Sequence, residues 1–268
     1  MESPEVVDAL RRAGCVSPAA EAAELQRAAR ERSVPIEELV ARRVVGEPLA
    51  WIVGHVTFLD LRVRVTPGVF VPRPHTELLA RRAIELLPSD GIGVDLCTGC
   101  GAVAAAMRAA RPDAAVHATD VDPVAVACAR TNGVDAVLGD LDAPLPPTLR
   151  GHVDVVTAVV PYVPTEELPL LPRDVLAHEP RRALDGGPGG TLVLRRAAPA
   201  AARLLRPGGA IVLELGGDQA GELSRALEEL GFSGLRVLRD ADGRARAIEA
   251  HRRDEAGTPR PGRSRSSG

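Results

Sequence analysis

With 268 residues, 45% of them hydrophobic, the chain has enough apolar material for one large domain or for a main domain with a small appendage. Its formal net charge of -3 gives no global attraction to nucleic acid or to an anionic membrane. No apolar run approaches the roughly 20 residues of a membrane helix, and the opening MESPEVVDALRRAG lacks the apolar centre of a signal peptide, so the expected location is the cytoplasm.

Residues 1–50 carry apolar side chains at helical spacing, first at Val6, Val7 and Leu10 and again at Ala19, Ala22, Leu25 and Ala28. Ser17-Pro18 and Ser33-Val34-Pro35 read as helix starts. A small helical domain is expected there. The stretch GEPLAWIVG then leads into two alternating segments, Val56-Thr57-Phe58 and Leu61 to Val65, which predict a short hairpin within a linker over 51–72. Two prolines stiffen Phe70-Val71-Pro72-Arg73-Pro74-His75-Thr76-Glu77 before a helix that starts with Thr76 near its N-cap.

From residue 92 strands and helices alternate, the pattern of a parallel sheet with crossover helices on both faces. Strands are predicted near 92–97, 115–120, 134–138, 153–159 and 210–215, with an antiparallel pair near 234–239 and 245–250. Helices are predicted over 102–110, 123–131, 189–205 and 219–231. The tail from 254 to 268, ending TPRPGRSRSSG, has the composition of a disordered segment.

The most informative stretch is IGVDLCTGCGA, in which an apolar strand runs into glycines 99 and 101 and then an alanine-rich helix. Such a turn opens main-chain N–H groups to a ligand. Gly99-x-Gly101-x-x-Ala104 with Asp120 further on also fits a dinucleotide fingerprint. Asp95 beside the turn would repel a pyrophosphate, however, and suits the ammonium or sulfonium of S-adenosylmethionine (SAM). With Asp120 and Asp140 it places carboxylates at three successive strand ends, although each also reads as a helix N-cap. Cys97-x-x-Cys100 lacks the second pair or the nearby histidines of a structural zinc site, and no metal is expected. It reads as two small residues in a crowded turn, or as a redox pair. At the end of the fourth strand, Pro161-Tyr162 holds the chain's one tyrosine, as an aromatic face for an amino group and a sulfonium or as a packed strand end.

The segments GEPLAWIVG, FVPRPHTELL, VDLCTGCGAVA, ATDVDP, GDL, VPYVP, HEPRRALDGGPGG, LLRPGG and ELGGDQA follow one another in the order and approximate spacing of a known family. By these the chain resembles the HemK-like N(5)-glutamine methyltransferases of peptide chain release factors, over most of residues 40–250. The resemblance implies a seven-stranded, Rossmann-like α/β methyltransferase domain over 73–253, preceded by the helical domain and hairpin linker. It implies SAM held by Asp95, Cys97, Thr98, Gly99, Cys100 and Gly101, with Asp120 on the ribose and Asp140-Leu141 beside adenine. It implies substrate contacts from Arg73, Thr76, Glu77, Val159, Pro161 and Tyr162. The family's fourth strand ends in Asn-Pro-Pro-Tyr, whose asparagine hydrogen-bonds the substrate amide; the corresponding catalytic positions here are Val159, Val160, Pro161 and Tyr162. His75 stands where the family usually has aspartate. Valine offers no acceptor, and losing such a partner in a buried site costs on the order of 1–3 kcal/mol. Three readings follow: a release-factor glutamine methyltransferase that uses backbone carbonyls, a paralogue acting on a small-molecule nitrogen, and a SAM-binding protein without activity. A nucleic-acid methyltransferase ranks behind them, because no basic, aromatic-rich recognition region is present.

Overall fold

The computed structural model describes residues 4–254, apart from the side chains at positions 173 and 174. Of the tail expected to be disordered, all but Asp254 lies outside the described residues.

Three helices open the chain, α1 (Pro4–Arg12), α2 (Pro18–Arg32) and α3 (Ile36–Val44). Pro18 occupies the first turn of α2, where its missing N–H costs nothing. Leu10, Leu25 and Leu39 meet in a core of their own, which is closed by Ile52 and Val53 of a further short helix, α4 (Leu49–Val53). That helix was not expected, since five residues are too few to show a period. Arg32 donates from its guanidinium to the carbonyls of Ile52 and Val53, tying α2 to the end of α4. The hairpin follows as β1 (His55–Phe58) and β2 (Leu61–Arg64). Its two turn residues, Leu59 and Asp60, both have positive φ, in a position usually given to Asn or Gly.

The helix after the proline loop, α5 (Thr76–Leu86), has His75 as its N-cap residue. The main sheet has seven strands: β3 (Ile92–Leu96), β4 (Ala115–Asp120), β5 (Asp135–Leu138), β6 (Val153–Ala158), β7 (Leu205–Glu214), β8 (Phe232–Arg239) and β9 (Ala245–Arg252). They lie in the order β5-β4-β3-β6-β7-β9-β8, parallel through β7 and antiparallel at β9 and β8. The crossovers carry α6 (Ala102–Ala110), α7 (Pro123–Thr131), α8 (Arg173–His178), α9 (Leu192–Leu204) and α10 (Ala220–Glu229).

Alternation along the strands builds two core layers. Val155 and Val212 face α5, α6 and α7, whereas their neighbours Val156, Ile211 and Leu213 face α9 and α10. β7 starts five residues before the predicted 210, because Leu205 already pairs with Val153 ahead of a bulge formed by Arg206-Pro207-Gly208-Gly209. α9 begins at Leu192 rather than 189, since Gly189 and Gly190 take positive φ and end the preceding turn. The chain leaves β3 towards β4 on one side and returns to β6 on the other. That reversal leaves a crevice at the carboxyl ends of β3 and β6, where open α/β sheets bind ligands. Among the described residues no helix is long and apolar enough to cross a membrane.

Candidate active site

β3 delivers the chain into the turn at Cys97, whose φ is 56°, and on through Gly99 and Gly101 at 58° and 82°. The two glycines serve different ends. A Cβ at Gly99 would meet nothing within 4 Å, so the main chain there lies open to a ligand. One at Gly101 would stand 3.0 Å from Ala129 and Val134, so this glycine lets the turn pack on α7. Asp120, at the end of β4, accepts Gly99 N–H at 2.8 Å and Asp122 N–H at 2.9 Å, one on each oxygen. A carboxylate has about four lone-pair sites, so both oxygens keep capacity for hydroxyl donors. Burial raises the Asp120 pKa above its ordinary value, and the two N–H donors oppose the shift.

Asp95 is turned into the sheet. Only 1% exposed, it accepts hydroxyl hydrogens from Thr98 at 2.6 Å and from Thr157 on β6 at 2.7 Å. Burial pushes its pKa up to about 6 in spite of these donors. The carboxylate thus fastens the turn to both β3 and β6, and it also lines the cavity described below. Asp140 is half-exposed and ion-paired with Arg196. Cys97 and Cys100 are both free, and burial drives both thiols well above the ordinary range, which leaves them protonated and unreactive. The observation favours the small-residue reading of the pair over the redox one.

β6 ends at Ala158 and the chain passes through Val159 and Val160 to Pro161 and Tyr162. This corner is gripped from behind. Gln219, ahead of α10, donates its side-chain amide to the Tyr162 carbonyl at 2.8 Å and accepts Gly216 N–H at 3.0 Å. The glycine-rich loop 186–190 lies so close that a Cβ at Gly190 would sit 2.2 Å from the Tyr162 carbonyl, and one at Gly186 would sit 2.8 Å from that of Pro161. Tyr162 points its hydroxyl at His75 Nε2, 3.3 Å away, and the same nitrogen is 3.4 Å from Glu214 Oε1 at the end of β7. Burial, then the charge of Glu214, raises the Tyr162 phenol well above its usual pKa and keeps it protonated.

A cavity of about 580 Å³ joins the glycine turn to this corner. Of the residues expected at the site it collects Asp95, Cys97, Thr98, Gly99, Cys100, Asp120 and Asp140 on one side, and Arg73, Thr76, Val159, Val160, Pro161 and Tyr162 on the other. Three expected residues are not on its wall. Gly101 is spent on the contact with α7 described above. Leu141 sends its side chain into the core under α9, and its main chain has a φ of 49°. Glu77 faces the hairpin, where it accepts Leu59 N–H at 3.2 Å and braces the linker, off the cavity wall. Thr76 does reach the cavity but does not cap α5; its hydroxyl is buried without a hydrogen-bond partner among the described residues. Arg73 stacks over Phe70 at 4.6 Å and pairs with Glu179 at 2.7 Å. The sequence reading missed Glu214, Gln219 and Thr157. A carboxylate inside the apolar run Ile211 to Leu215 was the available signal for the first.

The donor set tests which cofactor fits. Gly99 presents open main chain beside two carboxylates, and the nearby cations are already neutralised, Arg196 by Asp140 and Arg182 by Asp122. Among the described residues a pyrophosphate would find carboxylates and no free cation. Ribose hydroxyls, an adenine amino group and a cationic methionine end find acceptors. The residues therefore fit S-adenosylmethionine.

Residues 60–139 match the family described as Methyltransferase small domain. Over 230 residues the chain is 40% identical to the release factor glutamine methyltransferase of Moorella thermoacetica, which spans 81% of this chain and 80% of the relative. The corresponding protein of Mycolicibacterium smegmatis is also 40% identical, over 83% of this chain and 81% of its own. The chain belongs to the release factor glutamine methyltransferase family. As a member it is a SAM-dependent methyltransferase with the seven-stranded fold that the resemblance implied. In fold it is also similar to the Mtq2–Trm112 complex of E. cuniculi, a structure described as responsible for methylation of the termination factor eRF1; the TM-score is 0.52 at 24% identity, over 70% of this chain and 99% of that one.

Proposed function

We propose that this methyltransferase methylates the side-chain amide nitrogen of a glutamine in a peptide chain release factor. The observation that carries the proposal is the continuity of one cavity from the glycine turn to the Pro161-Tyr162 corner, in a chain whose family methylates such factors. S-adenosylmethionine bound at the turn supplies an electrophilic methyl group on sulfur.

Asp120 and the open main chain at Gly99 hold the ribose end, and Asp140 with the Leu141 main chain frames the adenine end. Asp95, itself pinned by two threonines, sets the position of the turn. Amide nitrogen is a weak nucleophile because its lone pair is delocalised, so the acceptor side must align it and draw on its N–H hydrogens. Val159 brings no side-chain acceptor. The carbonyls of Val160 and Pro161, however, have no hydrogen-bond partner among the described residues, and the Gln219 clamp with the loop 186–190 holds them rigid. We take these carbonyls as the groups that orient the amide. Tyr162 forms the adjoining wall.

The proposal extends to organisation. Residues 1–50 form the helical domain, 51–72 the hairpin linker and 73–253 the transferase domain, and the helical part presents the protein substrate to the cavity. Action on a release factor also places the protein in the cytoplasm. The test is incubation of the purified protein with a release factor and labelled S-adenosylmethionine, followed by mass spectrometry of the glutamine-bearing peptide. Methylation at glutamine supports the reading. Binding of the cofactor with no transfer to the factor overturns it.

A further inference from the structure

Two features of the acceptor side have so far stood apart: a corner with no polar side chain at 159, and an imidazole at 75 set against a buried carboxylate. We propose that His75, oriented by Glu214, accepts the hydrogen of the acceptor nitrogen, supplying from the start of α5 the side-chain acceptor that Val159 does not supply from β6. The inference rests on the glutamine reading above and assigns a catalytic residue to it.

The geometry fixes which nitrogen does what. Glu214 is 1% exposed, and neither of its oxygens has a hydrogen-bond partner within normal limits among the described residues. His75 Nε2 approaches it to 3.4 Å, and the Tyr162 hydroxyl, itself 3.3 Å from Nε2, faces the same carboxylate and can accept from Nε2 while its own hydrogen is turned to Glu214. A carboxylate only accepts, so this approach is favourable when Nε2 carries the hydrogen; in a neutral imidazole the lone pair is then on Nδ1. Nδ1 has no other duty. His75 is the N-cap residue of α5, yet its side chain makes no capping bond, and no partner for Nδ1 is found among the described residues. The ring is partly exposed and forms part of the wall of the same cavity as Val159 and Gly99. Tyr162 is unsuited to the task, because its phenol is held protonated beside Glu214. Arg73 and Arg246, the cations that act on Tyr162, have no lone pair to offer.

In the step, the lone pair of the amide nitrogen forms the new bond to the methyl carbon, and the carbon–sulfur pair stays on sulfur. The surplus N–H proton passes to Nδ1. The resulting imidazolium lies against the Glu214 carboxylate, which stabilises it.

Two measurements test this. The first needs no turnover: nitrogen NMR of protein labelled at histidine, at mildly alkaline pH, is expected to show His75 protonated at Nε2 and bare at Nδ1, with the preference lost in Glu214→Gln. A proton on Nδ1 overturns the proposal. The second is kinetic. His75→Ala is expected to lower kcat on a release factor by about 100-fold, the scale of a lost general base, with KM and the affinity for S-adenosylhomocysteine little changed. Adding Val159→Asn is expected to recover at least about tenfold of that loss, since it returns an acceptor to the corner. An unchanged kcat in His75→Ala, or no recovery in the double variant, overturns the proposal. If the wild-type protein does not methylate a release factor at all, the glutamine reading fails, and the NMR result still decides whether His75 is arranged as an acceptor.

Discussion

Thr157 donates its hydroxyl to Asp95 directly across the β3–β6 ladder, at 2.7 Å, and so links the strand that enters the glycine turn to the strand that ends at Pro161-Tyr162 through one buried carboxylate. Removing that donor leaves the carboxylate short of a partner where water cannot replace it. Thr157→Val is nearly isosteric and is expected to destabilise the fold by about 1–3 kcal/mol in urea unfolding. The same variant should weaken S-adenosylmethionine binding in calorimetry, because the turn loses its anchor.

Asp95 also sets a pH dependence. Its folded pKa of about 6 lies above the usual carboxylate value, so the native state binds the proton more tightly than the unfolded chain does. Its contribution to stability is therefore fully present below about pH 4 and is lost as pH rises through about 6. Subtracting the pH profile of Asp95→Asn from that of the wild type should isolate this fall, on the order of 3 kcal/mol at most. A flat difference between the two profiles would show the carboxylate to be better solvated than its burial implies.

The oxygens of Asp120 fasten Gly99 and Asp122, and the proposed function also sets them on the ribose. Asp120→Ala is expected to weaken S-adenosylmethionine at least about tenfold by isothermal calorimetry, a loss of about 1.4 kcal/mol or more. Asp120→Asn should lose less, because one oxygen remains.

The clamp on the acceptor corner separates binding from transfer. Gln219→Ala frees the Tyr162 carbonyl and is expected to cut kcat about tenfold while the cofactor affinity stays within about twofold. Gly190→Ala is harsher: its Cβ would meet the Tyr162 carbonyl at 2.2 Å, from a backbone at φ 71°. That variant should unfold at lower temperature and show no transfer.

Much of the arrangement was legible in the residues. The strands from β3 to β6 and the helices α6 and α7 fell near their predicted places because each has a clear period and clean glycine or proline limits. The turn at Cys97 to Gly101 was readable because glycine there reports backbone conformation, which is local. What stayed hidden depends on neighbours distant in the chain. α4 is too short to show a period. β7 starts inside Leu205-Arg206-Pro207-Gly208-Gly209, which looks like a loop and pairs only because Val153 is there to receive it. Glu77 carries the same chemistry whether it faces substrate or the hairpin, and only packing decides. Glu214 and His75 are far apart in sequence, and nothing in either one announces the other.

The grip of Gln219 and Gly190 on the Tyr162 carbonyl also has a bearing on how the protein comes off the ribosome. The turn and strands β3, β4 and β5 have all emerged by residue 140, and the Thr157 hydroxyl that fastens the turn follows with β6. The corner opposite is completed later still. Its backing arrives some sixty residues after Tyr162, so the acceptor corner is among the last parts of the cavity to become rigid as the chain emerges.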